Sequence, residues 1–128
     1  MEPILGRVNM DSLRRNRIDR SDECWADAGI SEISKANRLK LYFDSVFLGL
    51  LGVLYQADSP ILATSADVDV AQVFKDARQF LNITEEDIAF GLCLSNVVFQ
   101  FNLEVITSVD LESAREWAYR VRQTVLVA

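Results

Sequence analysis

The longest uninterrupted apolar run of the chain, residues 46–55, reads VFLGLLGVLY. It is too short to cross a bilayer, which takes about 20 residues. An amphipathic segment precedes it, with apolar residues at helical spacing: Ile33, Ala36, Leu39 and Phe43. We therefore predict one helix over residues 32–56, capped by Ser31. Because its second half is apolar on every side, this helix should lie at the centre of a bundle or between subunits.

Three capping boxes precede the remaining periodic segments. They read TSAD at residues 64–67, TEED at residues 84–87 and TSVD at residues 107–110. A Ser or Thr followed three residues later by an acid satisfies the free backbone N–H groups that begin a helix. The boxes predict helices over about residues 67–81, 85–106 and 110–125. The fold class predicted is all-α, a compact bundle of four main helices with short connections.

Residues 97–106 leave an alternative open. Phe99–Val105 alternates apolar and polar residues, which is typical of a strand. Across residues 89–104, small and polar residues also recur at steps of three and four, which is typical of a helix. They are Ala89, Cys93, Asn96, Gln100 and Glu104. No second alternating run offers a hairpin partner, so helix is favoured. The alternative is an α+β fold with residues 97–106 as a strand.

The charge is unevenly distributed along the chain. Residues 1–20 hold five arginines against three acidic residues, whereas the whole chain of 128 residues has a net charge of −6. We predict an N-terminal arm over residues 1–20, disordered or with a short helix, and a single helical domain over residues 21–128. Two largely apolar helices exceed what such a small domain buries, which predicts a homodimer or a stable complex.

Several classes of chemistry have no residues to support them. The chain has no histidine, which removes histidine triads, histidine bases and histidine metal ligands. Two cysteines, Cys24 and Cys93, cannot build a four-cysteine zinc site. Glycine-rich phosphate loops are absent from the sequence. We predict a protein that is not an enzyme and has no cofactor, no resident metal and no membrane partner. With two cysteines and no secretory signal at its start, it should be cytoplasmic.

The arginine run and the last helix supply the predicted partner-binding residues. Interface hot spots are enriched in Trp, Tyr and Arg. The predicted surface comprises seven residues: Arg14, Arg15, Arg17, Arg20, Trp117, Tyr119 and Arg120. For Trp117, packing in the core is the competing role.

A polar stripe runs through the predicted helix over residues 85–106. It consists of Asn96, Gln100 and Glu104. Buried polar groups need partners, so we predict hydrogen bonds across a helix interface that fix register or dimer state. The alternative is the lining of a small-molecule pocket around Asn96 and Gln100.

The function predicted is that of a non-enzymatic, acidic protein-binding module. It would occlude a protein partner, as inhibitors, immunity proteins, antitoxins and chaperones do. A nucleic-acid-associated regulator that uses the arginine arm is the alternative, although the acidic body opposes it. A weaker alternative is a carboxylate–metal enzyme built on four acids: Glu85, Glu86, Glu112 and Glu116.

Overall fold

The computed structural model of the protein describes residues 5–56, 69–100 and 103–127. This part of the chain forms six helices and no strand. They are α1 (Leu5–Ala28), α2 (Lys35–Gln56), α3 (Val70–Ala77), α4 (Glu85–Gln100), α5 (Leu103–Ser108) and α6 (Leu111–Leu126). The predicted all-α class is confirmed. None of these described helices combines the length and apolarity that a membrane-spanning segment needs.

Helix α2 lies at the centre of the fold, as the apolar run predicts. It packs against each of the other five described helices. Leu39, Val46, Leu50 and Leu54 are fully buried on one face, and Ser45 and Leu51, on other sides of the helix, are buried as well. A helix that is apolar all round needs neighbours all round, and α2 has them.

The start of α2 differs from the prediction. Ser34, rather than Ser31, is the N-cap: its Oγ accepts a hydrogen bond from the Asn37 N–H at 3.3 Å. Residues 29–34 form a turn in which the Ile33 N–H donates to the Ile30 carbonyl at 3.2 Å. That turn lets α1 and α2 pack side by side, and it takes up the residues predicted as the first turn of α2.

The capping box at residues 84–87 is confirmed in full. Thr84 Oγ1 accepts from the Asp87 N–H at 3.0 Å, and Asp87 Oδ2 accepts from the Thr84 N–H at 3.2 Å. At the start of α6, Asp110 is the N-cap but its side chain makes no capping hydrogen bond. Residues 64–67 lie outside the described residues. Helix α3 begins instead after Asp69, whose Oδ1 accepts from the Ala71 N–H at 3.0 Å.

The strand alternative for residues 97–106 is wrong for the described residues of that segment. Residues 97–100 belong to α4 and residues 103–106 to α5, while residues 101–102 lie outside the described residues. The described chain offers no strand to pair with. A helix satisfies the backbone groups without one.

Helix α1 differs most from its prediction. It runs without a break across position 20, where the predicted arm ends, and stops at Ala28, just before Gly29. Its inner face meets α2 through small and aromatic residues: Ser21 donates to the Ser45 carbonyl, and the Trp25 ring lies edge-on to Tyr42 at 5.7 Å. A helix docked by such residues shows no apolar stripe in its sequence.

Helix α3 contacts α4 at a glycine. The ring of Phe74, fully buried, lies over Gly91, where a Cβ atom would come within 2.4 Å of the Phe74 Cζ. No side chain fits there without displacing the ring. Gly91 therefore sets how closely α3 and α4 approach.

Candidate functional site

An aromatic patch joins α1 to α6. The ring centroids of Trp25 and Tyr119 lie 6.2 Å apart. Tyr119 is 56% exposed and Trp25 is half-buried. The pair is anchored beneath by the buried Tyr42. It therefore offers aromatic surface to solvent on a fixed base.

Two guanidinium groups lie against the Trp25 ring. The Arg122 Cζ is 5.2 Å from the ring centroid and the Arg115 Cζ is 5.9 Å from it. Both distances fall within the range of cation–π attraction. We call Trp25, Tyr119, Arg115 and Arg122 the Trp25 cluster.

A buried polar network holds Arg122 in place. Its Nε donates to Ser21 Oγ at 3.2 Å, and its Nη2 donates to the Asp22 carboxylate. Ser21 Oγ in turn donates to the Ser45 carbonyl on α2. Burial lowers the pKa of the Arg122 guanidinium, and the charge and hydrogen bond of Asp22 offset part of that change. The network ties α1, α2 and α6 together beneath the aromatic patch.

A second anchor joins α6 to α4. Arg120 Nη2 lies 2.8 Å from Asp87 Oδ1, and the Trp117 Nε1–H donates to the Asp87 carbonyl at 2.9 Å. Trp117 is only 1% exposed. The prediction that Trp117 binds a partner is therefore corrected: its ring fills the core, because its indole N–H finds a partner there.

A cleft lies on the outer face of α6. Its volume is about 480 Å³, and the described residues that line it are Glu112, Arg115, Glu116, Tyr119 and Arg120. Clefts that hold ligands occupy roughly 300–1,000 Å³. Arg115 and Tyr119 belong to both the cleft and the Trp25 cluster, so the two features form one continuous surface. We call this feature the α6 cleft.

The predicted arginines lie further along α1. Arg15 and Arg20 are exposed and Arg17 is half-buried, while the side chain of Arg14 lies outside the described part. It is Trp25, five residues beyond Arg20, that packs on Tyr119. The sequence prediction named Tyr119 and Arg120 but missed Trp25, Arg115 and Arg122. Had α1 been predicted to reach residue 28, the spacing of Ser21, Trp25 and Ala28 would have placed these residues on one helical face and so indicated Trp25.

The three residues of the predicted stripe differ in exposure in the single chain. Asn96 is half-buried, whereas Gln100 and Glu104 are exposed. Residues 101–102, which lie between Gln100 and Glu104, are outside the described residues.

Two of the four acids of the metal hypothesis form ion pairs with arginines. Glu85 pairs with Arg78 at 3.8 Å, and Glu112 pairs with Arg115 at 3.7 Å. In the described ranges, no three Cys, Asp or Glu residues converge as metal ligands would.

Two titratable groups lie where α1 meets α2. Burial raises the pKa of the Asp44 carboxyl, and the positive charges of Lys40 and Arg20 offset part of the rise. Burial also raises the pKa of the Cys24 thiol, and the Asp44 carboxylate adds to the rise. Cys93 is the exposed cysteine, and both thiols are free.

Comparison of the chain with models of known protein families, with curated proteins and with solved structures found no significant match in any of the three. The functional argument therefore rests on the residues of this chain.

Proposed function

We propose that this protein is a non-enzymatic protein-binding module that occludes a site on a protein partner. The observation that carries the proposal is the exposed Tyr119 ring against Trp25, beside the α6 cleft. Hot spots of protein interfaces are rich in Tyr, Trp and Arg, and they lie in pockets that exclude water when the partner is bound. The Trp25 cluster has this composition, and hydrogen bonds to Ser21 and Asp22 fix one of its two guanidinium groups, that of Arg122.

The groups in the cleft suit recognition better than catalysis. Arg115 lies 3.7 Å from Glu112 and Arg120 lies 2.8 Å from Asp87, so each guanidinium group has an acidic partner. With no histidine, the chain lacks the side chain that ordinarily gains and loses a proton near neutral pH. Proteins that act in this way include inhibitors, immunity proteins, antitoxins and chaperones.

A nucleic-acid-associated regulator is the second candidate. Residues 5–20 of α1 hold five arginines against two aspartates, a net charge of +3, and Arg15 and Arg20 are exposed. Phosphate contacts of such a helix would weaken steeply with salt. This candidate comes second because the whole chain has a net charge of −6, which repels nucleic-acid phosphates.

The test is a quantitative affinity capture from the native lysate with two matched variants, read with and without nuclease. Tyr119→Ala removes an exposed aromatic ring from the Trp25 cluster, and Phe80→Ala removes one of similar exposure, 50%, from the turn after α3. We expect one stoichiometric protein partner, recovered at least tenfold less with Tyr119→Ala and unchanged with Phe80→Ala or nuclease.

Two results would count against the proposal. Equal recovery of the partner with both variants would place the binding surface elsewhere. Recovery that disappears with nuclease would favour the arginine helix instead. Circular dichroism of each variant checks that the fold is intact.

A further inference from the structure

The two arginines against Trp25 differ in how firmly they are held. The side chain of Arg122 is 9% exposed and is fixed by Asp22 and Ser21. The side chain of Arg115 is 57% exposed, and its ion-pair partner among the described residues is the exposed Glu112, at 3.7 Å. Exposed pairs of this kind contribute little to stability. Arg115 can therefore leave the ring without disturbing the fold, whereas Arg122 cannot.

The place that Arg115 occupies is built for a guanidinium group. An aromatic ring lies on one side, the Glu112 carboxylate on another, and Tyr119 borders the cleft beside it. Glu116 lines the same cleft and has no ion-pair partner among the described residues. Arg120 also lines the cleft, but its charge is paired with Asp87 at 2.8 Å, so Arg115 alone faces the two carboxylates of Glu112 and Glu116.

The surroundings carry the same sign of charge. Residues 21–34, which include the last two turns of α1, hold four acidic residues and no Lys or Arg. The whole chain has a net charge of −6. A surface of this kind attracts a basic partner and repels an acidic one.

From these three observations we propose that the α6 cleft binds an arginine side chain from a basic segment of the protein partner. The incoming guanidinium takes the place of Arg115 on the Trp25 ring and pairs with Glu112 and Glu116. Arg115 is its intramolecular substitute in the free protein. This inference rests on the proposed function and names the chemistry of the partner.

The proposal predicts opposite effects from two neighbouring positions. Arg115→Ala opens the site and removes a repelling charge, so binding should become about threefold to tenfold tighter. Glu112→Gln with Glu116→Gln removes the ionic partners, so binding should become at least tenfold weaker. Asp76→Asn, on α3, removes a charge at a distance and should change affinity by less than twofold.

The experiment is fluorescence anisotropy with short labelled peptides at low ionic strength. The probes alternate glycine with arginine, with lysine or with glutamate. We expect the arginine peptide to bind most tightly, because a planar guanidinium stacks on a ring and pairs with a carboxylate at once. The glutamate peptide should not bind.

Three results would overturn the proposal. Weaker binding by Arg115→Ala would make Arg115 a contact for an acidic partner. Equal losses with the Glu112/Glu116 pair and with Asp76→Asn would reduce the effect to overall charge. Self-association in sedimentation that the Glu112/Glu116 substitutions dissolve would make a second copy the occupant.

The proposed function can fail separately from this inference. If a captured partner depends on Tyr119 but is lost with Arg115→Ala, the binding module stands and the basic partner is wrong. If capture is indifferent to Tyr119, the proposed binding surface fails whatever the peptides show.

Discussion

Two seams of this molecule hold helices together by different physical means. Helix α1 is joined to α2 and α6 by a polar network around Arg122, Ser21 and Asp22. Helix α3 is joined to α4 by the Phe74 ring lying on Gly91. The polar seam fixes one geometry through hydrogen bonds, while the apolar seam depends on shape alone. The difference follows from composition: α1 has few apolar residues to bury, and α3 has a clean apolar face.

The substitution with the largest expected effect disrupts the apolar seam between α3 and α4. Phe74→Ala removes a fully buried ring and leaves a cavity between α3 and α4. The free energy of unfolding should fall by about 4 kcal/mol, a large share of the roughly 5–15 kcal/mol typical of a domain. Urea unfolding followed by circular dichroism measures it. A loss below about 1 kcal/mol would mean that α3 contributes little to the folded core.

In the polar seam, we expect substitution of the exposed Asp22 to cost more stability than substitution of the buried Arg122. Asp22→Ala leaves the buried Arg122 charge with less compensation, and we expect a loss of about 2–3 kcal/mol. Arg122→Met removes the charge but keeps volume, and leaves Asp22 in water, so we expect about 1 kcal/mol or less. The same urea titration compares them. A larger loss from Arg122→Met would show that the ion pair itself stabilises the fold.

The contact between ring and glycine can be sharpened by a pair of substitutions. Gly91→Ala should destabilise by about 1–2 kcal/mol, because overpacking against Phe74 outweighs the better helix propensity of alanine. In a Phe74→Leu background the same Gly91→Ala change should be neutral or stabilising. Thermal unfolding of the four proteins gives the coupling. If Gly91→Ala has the same effect in both backgrounds, the Phe74 ring is not what excludes a side chain there.

The smallest effect concerns the buried carboxyl beside the polar seam. The pKa of Asp44 is raised by burial in the folded state, so the charged form destabilises the fold. This destabilisation is absent below the ordinary pKa of about 3.9 and develops as pH rises through the raised folded value. Asp44→Asn should therefore stabilise the protein at pH 7 by less than about 1 kcal/mol, with the difference vanishing in acid. Unfolding across pH measures this, with the exposed Asp19→Asn as control. A variant less stable than the native chain at pH 7 would contradict the expected sign.

Local patterns were enough to predict the central helix and the cap of α4, but not the cap of the central helix. The apolar run at residues 46–55 indicated a helix surrounded by others, and α2 is that helix. The box at residues 84–87 predicted both of its hydrogen bonds. These features depend on residues close in the chain, so the sequence alone contains their cause.

The extent of α1 and the candidate site could not be predicted in the same way. Trp25 and Tyr119 are far apart in sequence, and their contact exists because α1 and α6 both pack on α2. Gln100 and Glu104 of the predicted stripe are exposed in the single chain, and their exposure depends on helix packing rather than on their spacing.

The sequence by itself determined the all-α class, the buried centre and the acidic charge, because periodicity, capping and composition are local or summed properties. Only the tertiary structure decided that Trp25 packs against Tyr119, that Arg122 is buried and that Arg115 is exposed. Those outcomes depend on how helices pack, and packing joins residues that no local pattern connects.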